Sequence, residues 1–229
     1  MNTIASPHTV SIVIPAMNEE ATIGDIISKC KKYGQQIIVV DGHSTDNTRA
    51  IAEKAGATVI LDNGKGKGAA LREAVRHVSN DIIVFIDADG SHDADDIPKL
   101  IAPIIMGDAD HVTGSRLIGG SSELHGGFDE FLRLAGSAFI TACINYRFGV
   151  RLSDSQNGFR AIRRDVISQL DLKENITTIE QEMIIKTIKK GFRLTEVPAH
   201  EYKRVAGYSK IKLSSVWLRY GYCLLKNLL

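Results

Sequence analysis

Short apolar, β-branched runs alternate with amphipathic stretches through the first half of the chain. Residues 10–14, 37–40, 58–61 and 82–86 have the length and composition of buried strands, and 111–114 closes the series. Between them, residues 19–33, a segment capped by Asp46 that runs to Ala55, residues 69–78 and residues 96–106 read as helices. Gly34, Gly56 and Gly107 stop three of these helices. The β-α-β-α rhythm predicts an α/β fold, a mostly parallel sheet with helices on both faces. The loops at residues 15–19, 41–46, 63–68 and 87–93 then carry the chemistry, at the edge where open α/β sheets bind their ligands.

The second half is less regular. It predicts helices at residues 128–148 and 178–190, the latter ended by Gly191, and strands at 158–162 and 194–197, the latter stopped by Pro198. Residues 212–229 form a last, amphipathic helix. Lys212, Arg219 and Lys226 line one stripe with Ser215 and Tyr222, while Leu213, Val216, Trp217, Tyr220, Leu224, Leu225 and Leu228 fill the rest. A basic stripe beside interfacial aromatics suits an anionic membrane surface. Packing on the domain, or docking onto a membrane subunit, are the other uses of such a helix. Phe131, Leu134, Ala135, Ala138 and Phe139 make a second apolar face, which an ordinary core helix would also show. The expected organisation is one domain over residues 1–211 with the C-terminal helix at 212–229.

Composition narrows the classes. A chain of 229 residues with 44% hydrophobic content can bury a real core in one α/β domain. With 28 basic and 27 acidic residues, nothing favours bulk binding of nucleic acid. Cys30, Cys143 and Cys223 are isolated and odd in number, which argues against a disulfide framework or thiolate metal site and fits a reducing cytoplasm. The N-terminal residues lack a basic region followed by an apolar one, so no signal peptide is expected. No uncharged apolar stretch reaches the roughly 18 residues that a membrane span needs.

Candidate chemistry concentrates where the 82–86 strand ends, in Asp87-Ala88-Asp89-Gly90. Two carboxylates that close repel each other unless a cation sits between them, and oxygen-only ligation points to Mg²⁺ or Mn²⁺ neutralising a diphosphate. A solvated acidic loop is the plainer alternative. Asp41, at the end of another strand, can accept hydrogen bonds from a nucleobase or ribose, and Gly42 lets the backbone turn there. Asn63-Gly64-Lys65-Gly66-Lys67-Gly68 leads into a helix with amides and ammonium groups that suit a phosphate, or else forms a solvated turn.

In order along nearly the whole chain, these pieces resemble the family-2 glycosyltransferases of GT-A fold, and within them the dolichol-phosphate mannose synthase branch. The resemblance rests on Pro15-Ala16-Met17-Asn18-Glu19, on residues 40–48 with His43 as a departure, and on Asp87-Ala88-Asp89. It continues through Gly114-Ser115-Arg116 with Gly119-Gly120, Asn157-Gly158-Phe159-Arg160 and residues 204–210. It implies that Pro15, Glu19 and Asp41 hold the donor nucleoside, with Lys67 also on the donor side. Asp87 would bridge nucleotide and metal, and Asp89 would bind the metal as a catalytic residue. Arg116, Arg133, Arg204 and Lys210 would face the phosphates of donor or acceptor, with Arg116 and Arg204 catalytic. The branch often has Gln two residues after the second Asp. This chain has Ser91 followed by His92, and either is a substitute ligand.

The activity this implies is metal-dependent, inverting transfer of a hexose from a nucleotide sugar of GDP-mannose or UDP-glucose type to a polyprenyl (dolichyl) phosphate. The enzyme would work at the cytoplasmic face of a membrane, peripherally. An anionic acceptor needs no general base, and arginines suit two phosphate-bearing substrates that repel each other. An alcohol acceptor would need one, for which Glu180 and Glu182 are candidates, although a solvated helix position is the plainer reading for at least one of them. A sugar nucleotidyltransferase and a non-catalytic nucleotide-binding module are the rivals from other classes.

Overall fold

The computed structural model describes residues 8–122, 128–205 and 213–228, without the side chains of 128–130 and 213–216. The first half follows the alternating pattern: β1 (Val10–Ala16), α1 (Ile23–Cys30), β2 (Gln36–Asp41), α2 (Thr48–Lys54), β3 (Thr58–Leu61), α3 (Lys67–His77), β4 (Ile82–Phe85), α4 (Ile97–Ile105) and β5 (His111–Ser115). The second half adds α5 (Arg116–Gly119), α6 (Phe128–Phe148), β6 (Arg160–Arg163), α7 (Arg164–Gln169), α8 (Ile179–Lys189), β7 (Leu194–Pro198) and α9 (Leu213–Leu228). These strands form one seven-stranded sheet in the order β3-β2-β1-β4-β6-β5-β7. All pairs are parallel except those of β6, which runs antiparallel to both β4 and β5. The sheet is mostly parallel, as the sequence predicts.

Alternation along the strands explains why helices cover both faces, since successive side chains point to opposite sides of a sheet. Ile12, Ile14, Val39 and Val84 pack on one face with Ile27 of α1, Ala52 of α2 and Leu100 of α4. Val13, Ile38, Val40, Ile83 and Phe85 pack on the other with Leu71 of α3, Ile167 of α7 and Met183 of α8. A third cluster joins Ile140 and Ile144 of α6, Ile184 and Ile185 of α8, and Leu224 of α9.

Several boundaries move for local reasons. The first helix begins at Ile23 rather than residue 19, because residues 15–20 are tied to the loop after β2. Asn18, at φ 57°, donates its amide to Ser44 Oγ, and the Glu19 amide goes to Thr48 Oγ1. The N-cap of α2 is Asn47, one residue after the expected Asp46, whose carboxylate instead accepts the Thr48 amide at 3.0 Å and the Glu20 amide at 3.2 Å, joining the two loops. The short α5 and α7 show too few turns to display a helical period.

The C-terminal helix departs most from its expected role. Tyr220, Cys223, Leu224 and Asn227 turn inward, and the Tyr220 hydroxyl lies 2.6 Å from Thr177 Oγ1. Tyr220 and Leu224 therefore do not belong to an outward apolar face. Trp217, Leu218 and Leu225 do, at 60–65% exposure, together with Tyr222 from the expected basic stripe. Lys226 of that stripe is 3.7 Å from Glu174. Lys212, with the side chains of Leu213, Ser215 and Val216, lies outside the described residues. On α6, Phe131 and Phe139 are exposed, and so are Ala135 and Ala138. Among the described residues, no helix is long and apolar enough to cross a membrane.

Candidate active site

The strand order turns at β1, which lies between β2 and β4, so a crevice opens beyond the carboxyl ends of β1 and β4. Pro15 and Ala16 pair with Val40 and Asp41, which sets the 15–19 and 41–48 loops side by side on that edge. Asp41 is fully buried. Its Oδ2 accepts the Ser44 amide at 3.0 Å, while its Oδ1 has no hydrogen-bond partner among the described residues. A buried carboxylate oxygen left open in this way is costly unless a ligand completes it.

Beyond β4, Asp87 and Asp89 flank the buried Ala88, whose carbonyl accepts the Thr22 hydroxyl at 2.6 Å. Gly90 closes the turn at φ +77°, and a Cβ there would come within 2.8 Å of Val205. That close approach is made by residues 201–205, whose Tyr202 and Val205 amides donate to the carbonyls of Ser91 and Asp89. These backbone bonds deliver Arg204 to the turn, where its Nη2 is 2.8 Å from Asp89 Oδ2. Asp87 has its own cation: Lys67 Nζ lies 2.7 Å from its Oδ1 and 3.0 Å from Glu180 Oε1. Burial pushes the Asp87 carboxyl up, but Lys67, with His92 and Arg204 behind it, more than reverses this and holds it below its ordinary range. Each of the two carboxylates thus meets a side-chain cation of its own, Lys67 at Asp87 and Arg204 at Asp89.

Glu180 and Glu182 are both buried, where a solvated position was expected for at least one of them. Glu182 accepts the Lys173 and Glu174 amides and pairs with Lys186, a role that fastens the loop before α8. Arg116 is held by two carboxylates. Its Nε is 2.6 Å from Asp154 and its Nη1 3.3 Å from Glu201, which in turn accepts the Ser121 hydroxyl. Burial opposes its charge, and the two carboxylates restore it.

One cavity of about 510 Å³ joins these groups. Lys67, Asp87, Asp89, Ser91, His92, Arg116, Arg133, Glu180 and Arg204 line its polar part, and Phe139, Ile140, Trp217 and Leu224 from α6 and α9 its apolar part. Pro15, Glu19 and Asp41 lie on the same sheet edge but do not line it. Lys210 lies outside the described residues. Asp154, Glu201 and Tyr220 were not singled out as site residues. Only the polar run from residue 153 to Asn157, ahead of a strand, hinted at the first of them.

Asp87 and Asp89 supply hard oxygen, and no group of three or more His, Cys, Asp or Glu able to hold a metal occurs among the described residues. Two carboxylates fit an ion that takes its remaining ligands from a diphosphate and water, as Mg²⁺ commonly does. Ser91 is buried, and its amide donates to Asp89. His92 stacks on Phe159 at 5.1 Å, with Nδ1 buried and without a hydrogen-bond partner among the described residues, and burial lowers its pKa despite the carboxylates around it.

A family model described as glycosyl transferase family 2 matches residues 11–171. The chain is 35% identical to glycosyltransferase AglJ of Haloferax volcanii, over 88% of this chain and 66% of AglJ. It is 34% identical to the low-salt glycan biosynthesis hexosyltransferase Agl6 of the same organism, over 86% of this chain and 48% of Agl6. The chain therefore spans less than two thirds of either relative. A dolichyl-phosphate hexose transferase of Haloferax volcanii is 28% identical, over 88% of this chain and 86% of its own length. In fold, the chain resembles a crystal structure of glucosyl-3-phosphoglycerate synthase from Mycobacterium tuberculosis in complex with Mn²⁺, UDP and glucosyl-3-phosphoglycerate. The TM-score is 0.74 at 24% identity, over 97% of this chain and 80% of that one.

Proposed function

The chain belongs to glycosyl transferase family 2, and we propose that it moves a hexose from a nucleotide sugar to a polyprenyl phosphate, with inversion, at a membrane surface. One observation carries this reading: a single cavity is lined both by carboxylates and cations and by apolar side chains of α6 and α9. Such a space suits an acceptor with a phosphate head and a hydrocarbon tail. The relative named as a dolichyl-phosphate hexose transferase adds support, as do the exposed Phe131, Phe139, Trp217 and Leu225 on α6 and α9. The free thiols of Cys30, Cys143 and Cys223 fit the cytoplasmic face.

In this account Pro15, Glu19 and the open Oδ1 of Asp41 hold the nucleoside. Asp87 and Asp89 hold Mg²⁺ or Mn²⁺, which when bound neutralises charge on the departing diphosphate. Arg133 and Arg204 orient the acceptor phosphate, with Lys210 from the segment that follows. A phosphate oxygen attacks the anomeric carbon on the face opposite the nucleoside diphosphate. The new bond joins that oxygen to carbon, the carbon–oxygen bond to the diphosphate breaks, and no proton moves. The competing alcohol acceptor requires a base. Glu180 is held by Lys67, and Glu182 is sealed beneath the loop before α8, so neither is poised for that task.

Thermal stabilisation against UDP-, GDP- and CMP-sugars, each with and without Mn²⁺, tests the donor half. Ligand that binds only the folded state raises the melting temperature. One nucleotide series should stabilise the protein in a metal-dependent way, and Asp89→Ala should abolish the shift. No shift with any donor would contradict the reading.

A further inference from the structure

Lys67 is fixed at both ends. Its backbone opens α3 after Gly66, at φ +111°, and Gly68 lies so close under the loop before α8 that a Cβ would meet the Glu174 carbonyl at 2.5 Å. The Ala69 amide donates to the Asn175 carbonyl at 3.1 Å. At the other end, the ammonium sits between Asp87 and Glu180, 2.7 and 3.0 Å away. Gly158 leaves room for it, since a Cβ at that position would fall 2.9 Å from Lys67 Nζ and 3.1 Å from Asp87 Oδ2. The Glu180 side chain is only 4% exposed, so this second carboxylate has no solvent to rely on if the ammonium leaves.

An ammonium at contact with Asp87 and a divalent cation on the same carboxylate would repel each other strongly in a buried site. We propose that Lys67 is a tethered counter-cation of Asp87 that exchanges with the divalent metal, and that Glu180 retains the ammonium once Asp87 is taken. The inference rests on the reading of Asp87 as a metal-binding residue. It assigns Glu180 a positioning role, through Lys67, in place of a base. It also orders the site's filling. Metal alone must displace an ion pair and binds weakly. A nucleotide brings a diphosphate whose negative charge sits between metal and ammonium, so the two cations bind it together.

Mn²⁺ titrations, followed by the electron paramagnetic resonance of free Mn²⁺, test the exchange on wild type, Lys67→Met and Glu180→Gln, first without nucleotide and then with UDP or GDP. Lys67→Met should bind Mn²⁺ alone about tenfold tighter than wild type, because the competing cation is gone. Glu180→Gln should bind it several-fold more weakly, because Asp87 is then the only carboxylate holding Lys67. Added nucleotide should tighten Mn²⁺ binding more in wild type than in Lys67→Met. If Lys67→Met does not fold, the near-isosteric Glu180→Gln carries the test with the opposite sign. Mn²⁺ binding that is unchanged or weakened in Lys67→Met, or unchanged in Glu180→Gln, overturns the exchange while leaving the metal site in place. No Mn²⁺ binding to any of the three proteins, with either nucleotide, overturns both readings.

Discussion

At the scale of single residues, the site depends on positions that admit no alternative. Gly90 is one: its φ of +77° and the 2.8 Å gap to Val205 leave no place for a Cβ. Gly90→Ala should cost about 1–2 kcal/mol in backbone strain and push residues 201–205, with Arg204, away from Asp89. Calorimetric unfolding should show the lower stability, and activity should fall further than that loss alone explains. Asp41 makes the opposite case. Asparagine can still accept the Ser44 amide but loses the charge of the open Oδ1. Asp41→Asn should therefore weaken UDP or GDP binding about tenfold, the worth of one charge-assisted hydrogen bond. Its melting temperature without nucleotide should stay close to wild type, and isothermal titration calorimetry checks the affinity.

Residues of this kind were legible in the sequence because each belongs to a short local pattern, a strand end followed by acid and glycine. Their partners were not. The Asp87–Lys67–Glu180 chain and the Arg116–Asp154–Glu201 cluster join segments far apart in sequence, and which acid meets which cation depends on how the loops fold back. Lys67 shows the consequence. Its alternation with glycine marked a loop near phosphate, while its neighbour Asp87 is visible only in three dimensions.

At the scale of elements, strands and long helices were readable from period and composition, but orientation was not. The four residues of β6, Arg-Ala-Ile-Arg, look the same whichever way the strand pairs. What fixes the β5, β6 and β7 ends together is Asp110, which meets Arg193 at 2.9 Å and Arg163 at 3.2 Å. Hydrogen bonds from Arg193, with the charges of both arginines, outweigh burial and hold its carboxyl down at about 2. An unfolded Asp titrates near about 3.9. The folded value is the lower one, so the stabilisation is complete above about pH 5 and is lost as pH falls toward about 2. Asp110→Asn should lower stability by about 1–3 kcal/mol at pH 7. Urea unfolding at a series of pH values should show that difference shrinking below about pH 5.

The last helix was readable as amphipathic but not as two-faced, since the same spacing serves a protein neighbour and a lipid surface. Its inner face is anchored to Thr177 and Thr178, just before α8, by Tyr220 and Cys223, and Gln181 of α8 donates to the Tyr220 carbonyl. Its outer face carries Leu218, Tyr222 and Leu225, which do not line the cavity. Changing all three to Ser should reduce cosedimentation with vesicles containing anionic lipid, while donor affinity in solution stays unchanged. Equal cosedimentation of the variant would remove this helix from the membrane account.

At the scale of the whole molecule, a parallel sheet with a turn in strand order gathers the loops of distant segments at one edge. Two of the helices in the second half, α6 and α9, add apolar side chains to the cavity there. The central claim is that the acceptor's phosphate, guided by arginines and not by a base, is the nucleophile. The most direct measurement uses radiolabelled UDP- and GDP-hexoses and compares a polyprenyl phosphate with the matching polyprenol, in the same detergent. The account predicts a labelled glycosyl phosphate lipid from the first and no product from the second, with the rate flat across the pH range where carboxylate bases titrate. Equal transfer to the alcohol, or transfer only to a water-soluble hydroxyl acceptor, would contradict it.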